Sequence, residues 1–241
     1  MKSRVRTFMT LLCVLIGGSV ATTGAGAEGT GETASWLILS VPEGATPARA
    51  AIGVPFEKRD EPGDIPWVRS IKGKARSGFE QLAILEFSDG KAFEAWRAAH
   101  AAQLESPVLG TRARVLASSG DRAARSPKSM LKISYYSLTV PVSEFLDWVD
   151  GYLVKYLRAQ RSAGILASYA MFLEEGEKGR ALLVLEYPDA STEKSAEPIK
   201  EKLSDELAAH DAVYAEQMRR KEQVRVTDTW TLAVPASIAR N

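Results

Sequence analysis

Two histidines, two glutamates and two arginines stand at matching places in the two halves of this 241-residue sequence. His100 follows Phe93 and Trp96 and precedes Leu104. His210 follows Leu203 and Leu207 and precedes Tyr214 and Met218. Steps of three and four put both imidazoles on the apolar stripe of a helix. An imidazole turned toward a sheet is either a satisfied core group or a ligand-facing group that can move a proton. Arg114 and Arg225 follow the histidines by 14 and 15 residues, in what read as closing strands. Glu86 and Glu186 end two similar apolar runs, LAILEFSDGK at 82–91 and LLVLEYPDAS at 182–191. A carboxylate beside a dry pocket has its pKa raised and can act as a base, whereas a solvated strand-end glutamate does nothing of the kind. The arginines suit either an anionic ligand or an ion pair with those glutamates. The candidate catalytic set is His210, His100, Glu186 and Glu86.

Phe145, Trp148, Tyr152 and Tyr156 form an aromatic ridge at helical spacing. Such a ridge packs a core by default; with its phenols turned to a cavity it also suits a flat aromatic ligand. Tyr135 and Tyr136 point to opposite faces of a strand, so one of them can join it. Tyr152, Tyr156, Trp148, Arg225 and Arg114 are therefore the candidate ligand-binding residues. GAGAEG at 24–29 matches a dinucleotide fingerprint by letters alone, with no strand before it. No GxSxG, HExxH or calcium-loop pattern occurs, and no Cys or His spacing suits zinc, so no metal site is expected.

These residues need elements to hold them. In the first half, WLILSV (36–41), WVRSIKGKA (67–75), QLAILEF (81–87) and TRARVLA (111–117) read as strands. A short helix near Pro47–Ile52 and a longer one over Lys91–Leu104 are expected between them. SSGDRAARSPKS at 118–129 has linker composition. In the second half KISYYSLTV, ILASYAMFLEE, RALLVLEY and QVRVTDTWTLAV read as strands, with helices over Val142–Ala163 and Glu193–Glu222. Pro141 and Gly164 bracket the first of these helices, and Arg219, Arg220 and Lys221 suit the negative end of the second.

Each half thus reads strand, helix, strand, strand, helix, strand, the split βαβ order of ferredoxin-like folds. The expected fold class is α+β: two tandem ferredoxin-like βαββαβ repeats whose antiparallel sheets pack into a pseudo-dimeric α/β barrel. The halves span 28–117, with a degenerate first helix, and 131–236, joined by a linker at 118–130. The third strand of each half is apolar on both faces, so each sheet must be covered twice, and the other half is the obvious cover.

On this element order, and on YYSLTVP and VLEYPD, the chain resembles the dimeric α/β-barrel superfamily, here in fused form; the likeness is clearest over 131–235 and weaker over 36–117. The resemblance implies a pocket between helices and sheet or inside the barrel. It also implies that haem could be held by a helix histidine, carried here onto His100 and His210. The haem-degrading branch relies on an Asn as well, and Asn241 at the terminus is the only one in this chain. A chlorite-dismutase-like motif is also missing, although that family shares the doubled half-barrel plan.

The first residues carry Lys2, Arg4 and Arg6, then an apolar stretch and Ala25-Gly26-Ala27, the pattern of a secretory signal peptide over 1–27. Cleavage there leaves 241 − 27 = 214 residues, 28 Lys plus Arg against 30 Asp plus Glu, and no cysteine, Cys13 being in the leader. Stability then rests on a packed core without disulfides. No later segment is long and apolar enough to span a bilayer, and a near-neutral charge gives no footprint for nucleic acid. The expectation is a periplasmic or secreted protein that binds an apolar or aromatic small molecule in an α/β-barrel pocket. It would be a metal-free or haem-using enzyme of the oxygenase or isomerase type. The alternative is a non-catalytic periplasmic scaffold.

Overall fold

The computed structural model describes residues 35–41, 68–70, 81–87, 89–99, 109–119, 126, 128–176 and 179–235. The leader at 1–27, the helix expected near Pro47–Ile52 and His100 lie outside them. Among the described residues eight strands are formed: β1 (Ser35–Val41), β2 (Val68–Ser70), β3 (Gln81–Phe87), β4 (Leu109–Ser119), β5 (Met130–Leu138), β6 (Ser168–Glu174), β7 (Arg180–Tyr187) and β8 (Arg225–Pro235). The helical segments are α1 (Gly90–Ala99), α2 (Val142–Trp148), α3 (Val154–Ser162), α4 (Ala190–Ser195), α5 (Glu197–His210), α6 (Ala212–Arg219) and α7 (Lys221–Val224). A π-helical turn, Val149–Leu153, joins α2 to α3.

All strand pairs are antiparallel, in the circuit β1-β3-β2-β8-β5-β7-β6-β4, and β4 pairs again with β1. Seven strands have seven or more residues; β2, with three, bridges β3 and β8. Period-two alternation assigns the side chains to two faces. The inner face holds Trp36, Ile38, Leu82, Ala113, Ile133, Phe172 and Leu182, with the Trp36 and Phe172 rings 5.1 Å apart. The outer face of β5, β6 and β7 supplies Tyr136, Tyr169, Met171, Leu183 and Tyr187 to a second core under the helices. Each fully buried Leu, Ile or Phe contributes about 1.5–3 kcal/mol, so both faces hold the sheet.

The repeated Glu-aromatic-x-Asp stretches have a physical cause. Asp89 Oδ1 accepts the Ala92 N–H at 2.7 Å, and Asp189 Oδ1 accepts the Thr192 N–H at 2.7 Å. Both aspartates cap the helix that follows the third strand, satisfying one of its free donors. In each stretch the apolar run is therefore a doubly covered strand and the Asp is its exit cap.

The helices depart from expectation at two places. The one expected over Glu193–Glu222 is divided into α4 to α7, because Asp211 adopts an extended backbone and caps a new helix through the Tyr214 N–H at 2.9 Å. The one expected over Val142–Ala163 contains the π turn, which no hydrophobic period signals. β4 also runs on to Ser119, into the stretch with linker composition.

Candidate functional site

Charged side chains on the inner face are few, and those described have partners. Glu186 alternates with Leu182 and Val184 and is 2 % exposed; Ser129 Oγ donates to its Oε1 at 2.8 Å and Ser168 Oγ to its Oε2 at 2.5 Å. At the other end of this face Glu174 pairs with Arg180 at 3.5 Å, and the Arg180 guanidinium lies 4.8 Å from the Tyr135 ring centroid. Burial raises the Glu174 carboxyl above the ordinary range, with Arg180 pulling it partway back. Burial, and then the Glu174 charge, push the Tyr135 phenol well up. Ser137, next on that face, donates to Asp228 at 2.7 Å.

The layer between helices and outer face is aromatic and finished differently. Phe145, Trp148, Tyr152 and Tyr156 touch in sequence, with ring centroids 5.7, 5.3 and 5.8 Å apart. Tyr214 of α6 lies 5.1 Å from Tyr152. Trp148 is fully buried and its Nε1 donates to the Gln217 carbonyl at 3.1 Å. The π turn lets the two helical layers approach: a Cβ on Gly151 would meet Gln217 Cγ at 3.0 Å. Lys200 of α5 enters this layer with its Nζ 5.2 Å from the Tyr187 ring centroid and 3.4 Å from Glu197. Its pKa is raised, because Tyr187 and Glu197 outweigh the opposing effect of burial.

The phenols here are held in the neutral form. Burial, reinforced by Tyr214, pushes Tyr152 up to about 12, with Arg225 opposing. Burial likewise raises Tyr156, Tyr187 and Tyr214, offset at Tyr187 by Lys200 and at Tyr214 by the Ser204 hydroxyl 3.0 Å away. A neutral phenol donates or accepts a hydrogen bond and is not a base at physiological pH. Three buried polar atoms around this layer have no hydrogen-bond partner among the described residues: Gln160 Oε1, Gln217 Oε1 and Arg225 Nε. Each carries a desolvation cost of about 1–3 kcal/mol.

The expected site residues divide accordingly. Trp148, Tyr152, Tyr156 and Arg225 come together in the aromatic layer, and of the adjacent tyrosines Tyr136 joins them while Tyr135 faces inward. Glu186 is on the inner face, not solvated and not beside that layer. Neither arginine pairs with it: it is opposite Leu131 while Arg225 is opposite Leu138, at the far end of β5, and Arg114 is exposed. Glu86 is opposite Trp36 in the β3–β1 pairing. His210 is exposed: it is the last residue of α5, and the chain turns out of the helix at Asp211. Its Nδ1 lies 2.7 Å from the Glu206 carbonyl. It stands outside the aromatic layer, so the described residues do not fit a haem bound in that layer through His210. Among the described residues no group of three or more His, Cys, Asp or Glu suits a metal ion, and no helix is long and apolar enough to cross a membrane.

Ser129, Ser168, Glu174, Arg180, Lys200 and Tyr214 were not singled out from the sequence as site residues. Lys200 had a signal, since it shares the helical stripe of Leu203 and Leu207. Ser168 had one only once paired, where it stands opposite Glu186.

No protein-family model matches the chain, and no curated protein matches its sequence. Solved structures do match. A "putative monooxygenase" from Fusobacterium nucleatum aligns with a TM-score of 0.52 at 10% identity, over 85% of this chain and 94% of that chain. A second "putative monooxygenase", from Lactobacillus acidophilus, aligns with a TM-score of 0.50 at 9% identity over the same shares. At these identities the likeness shows the fold: a ferredoxin-like α+β sheet of the kind these monooxygenase-like proteins share.

Proposed function

We propose that this chain is a small-molecule-binding protein whose site is the aromatic layer between the helices and the outer face of β5 to β7. The carrying observation is that this layer keeps buried polar atoms unpartnered around contiguous aromatic rings. Unsatisfied donors and acceptors beside apolar surface are what a bound organic molecule completes. The ligand is a flat, largely apolar molecule. Its chemistry, if it is turned over, uses neutral phenols as hydrogen-bond or proton donors, in keeping with an enzyme of the oxygenase or isomerase type.

The proposal includes two features of organisation. The strand orders β4-β1-β3-β2 and β8-β5-β7-β6 repeat one pattern when each group of four is counted separately, and Asp89 and Asp189 cap equivalent helices. Both support a duplicated ferredoxin-like unit closed into a pseudo-dimeric barrel. The basic and apolar leader supports export to the periplasm or beyond.

The test is a thermal-shift titration with 2-naphthamide, a flat neutral probe. A saturable rise in the melting midpoint that is lost in Tyr152→Ala is expected. No shift up to the probe's solubility limit sinks the small-molecule reading and leaves a non-catalytic scaffold in its place. Mass spectrometry of protein purified from its native compartment then identifies what it carries.

A further inference from the structure

Among the described residues three arginines lie over aromatic rings, and they differ in one respect. Arg112 is 4.6 Å from the Phe93 centroid and has Glu175 at 3.5 Å and Glu94 at 3.9 Å. Arg180 is over Tyr135 and has Glu174 at 3.5 Å. Arg225 is 3.9 Å from the Tyr136 centroid and 5.3 Å from that of Trp148, and has no carboxylate partner among the described residues. Its one hydrogen bond runs from Nη1 to the Thr227 hydroxyl at 3.0 Å, and its Nε is buried without a partner. A guanidinium has five N–H donors in a planar fork, so most of this one's capacity is unused. The side chain is only part-buried, which leaves the fork reachable from solvent. Tyr152, whose phenol feels the Arg225 charge, has no hydrogen-bond partner for its own hydroxyl among the described residues.

We infer that Arg225 is an anion anchor at the edge of the aromatic layer and that the ligand is an aromatic carboxylic acid. Its carboxylate lies against the guanidinium fork and its ring system at the solvent edge of the layer beside Tyr152. Two rings hold the guanidinium plane in place before the ligand arrives, so little side-chain freedom remains to be lost on binding. A half-desolvated cation without a counter-ion is costly to keep, and a carboxylate removes that cost through two parallel charge-assisted hydrogen bonds. This assignment rests on the small-molecule reading above and names the chemical class that the site takes.

The experiment compares 2-naphthoate with the neutral 2-naphthamide on the full chain, reading dissociation constants by calorimetry for wild type, Arg225→Gln and Arg225→Lys. The naphthoate should bind wild type about tenfold or more tightly than the amide, a margin of ~1.4 kcal/mol. Arg225→Gln should erase that preference while leaving amide binding, and Arg225→Lys should keep part of it, since it retains the charge and loses the fork. The preference should also shrink as salt is raised. Equal affinity for acid and amide overturns the anion anchor and leaves the small-molecule reading standing. A preference that survives in Arg225→Gln overturns the assignment to Arg225, and binding of neither probe overturns both. Arg225→Lys guards against a glutamine variant that fails to fold.

Discussion

Glu186 and Arg225 are both charged side chains in contact with a core, and the sheet treats them oppositely. On the inner face Glu186 receives two serine hydroxyls, Glu174 meets Arg180, and Asp228 meets Ser137. On the outer face Arg225 keeps one hydroxyl contact, and the Gln217 carboxamide oxygen keeps none among the described residues. Burial alone therefore does not mark a site. A face whose polar groups are all answered by the chain itself is finished as a core, and one that leaves them unanswered is finished by something else.

The largest effect that would separate the two faces is on stability. Phe172 is fully buried on the inner face against Trp36. Phe172→Ala should cost about 3–5 kcal/mol, read as a lower urea midpoint, with no change in the affinity of the folded protein for 2-naphthamide. A change in affinity without loss of stability would reverse the roles given to the two faces. Next in size is Ser168→Ala, which leaves Glu186 Oε2 without its 2.5 Å donor. A hydrogen bond to a buried charged group is worth about 1.5–3 kcal/mol, and a loss near zero would mean that water or another group replaces the hydroxyl and that the inner face is not closed.

How far this contrast could be read from residues alone depends on which interactions have a period. The strand order, the doubly apolar third strands and the ridge from Phe145 to Tyr156 are written at steps of two, three and four, and they appear as written. Trp148, Tyr152, Tyr156 and Arg225 came together for that reason. His210 is exposed at the end of its helix, where an extended Asp211 caps a new one and lies 2.5 Å from the Lys155 ammonium. Ser129, at the end of a stretch with linker composition, became a buried donor through a partner 57 residues away. The π turn brings Gly151 against Gln217, a contact between helices that are 66 positions apart (217 − 151) and that no local pattern announces. Composition and period report faces; they do not report which polar group on a face finds a partner.

A smaller effect tests whether the inner face is uniformly satisfied. Burial, only partly countered by Arg180, raises the Glu174 carboxyl above its ordinary value of 4.5. A group whose folded pKa lies above its unfolded one contributes stability that is full below the unfolded value and is lost as pH rises through the folded value. Urea midpoints measured from about pH 4 to neutrality should therefore fall slightly for wild type, and Glu174→Gln should flatten that slope. A wild-type midpoint that rises over this range with a Glu174-dependent slope would show the Arg180 pair to outweigh desolvation, making the salt bridge a stabilising device.

The smallest stability effect is expected where the outer face is least finished. The Tyr152 hydroxyl has no hydrogen-bond partner among the described residues, so Tyr152→Phe removes a polar atom that the chain does not use, while the ring keeps its contacts with Trp148, Tyr156 and Tyr214. Folding free energy should stay within about 0.5 kcal/mol of wild type. Affinity for the flat probes should fall, because a ligand would lose a neutral donor that burial holds in its protonated form, with the pKa pushed up to about 12. Ser168→Ala and Tyr152→Phe each delete one hydroxyl, from opposite faces of the same sheet. If Tyr152→Phe lowers stability as much as Ser168→Ala and leaves probe binding untouched, the Tyr152 hydroxyl belongs to the fold rather than to a site.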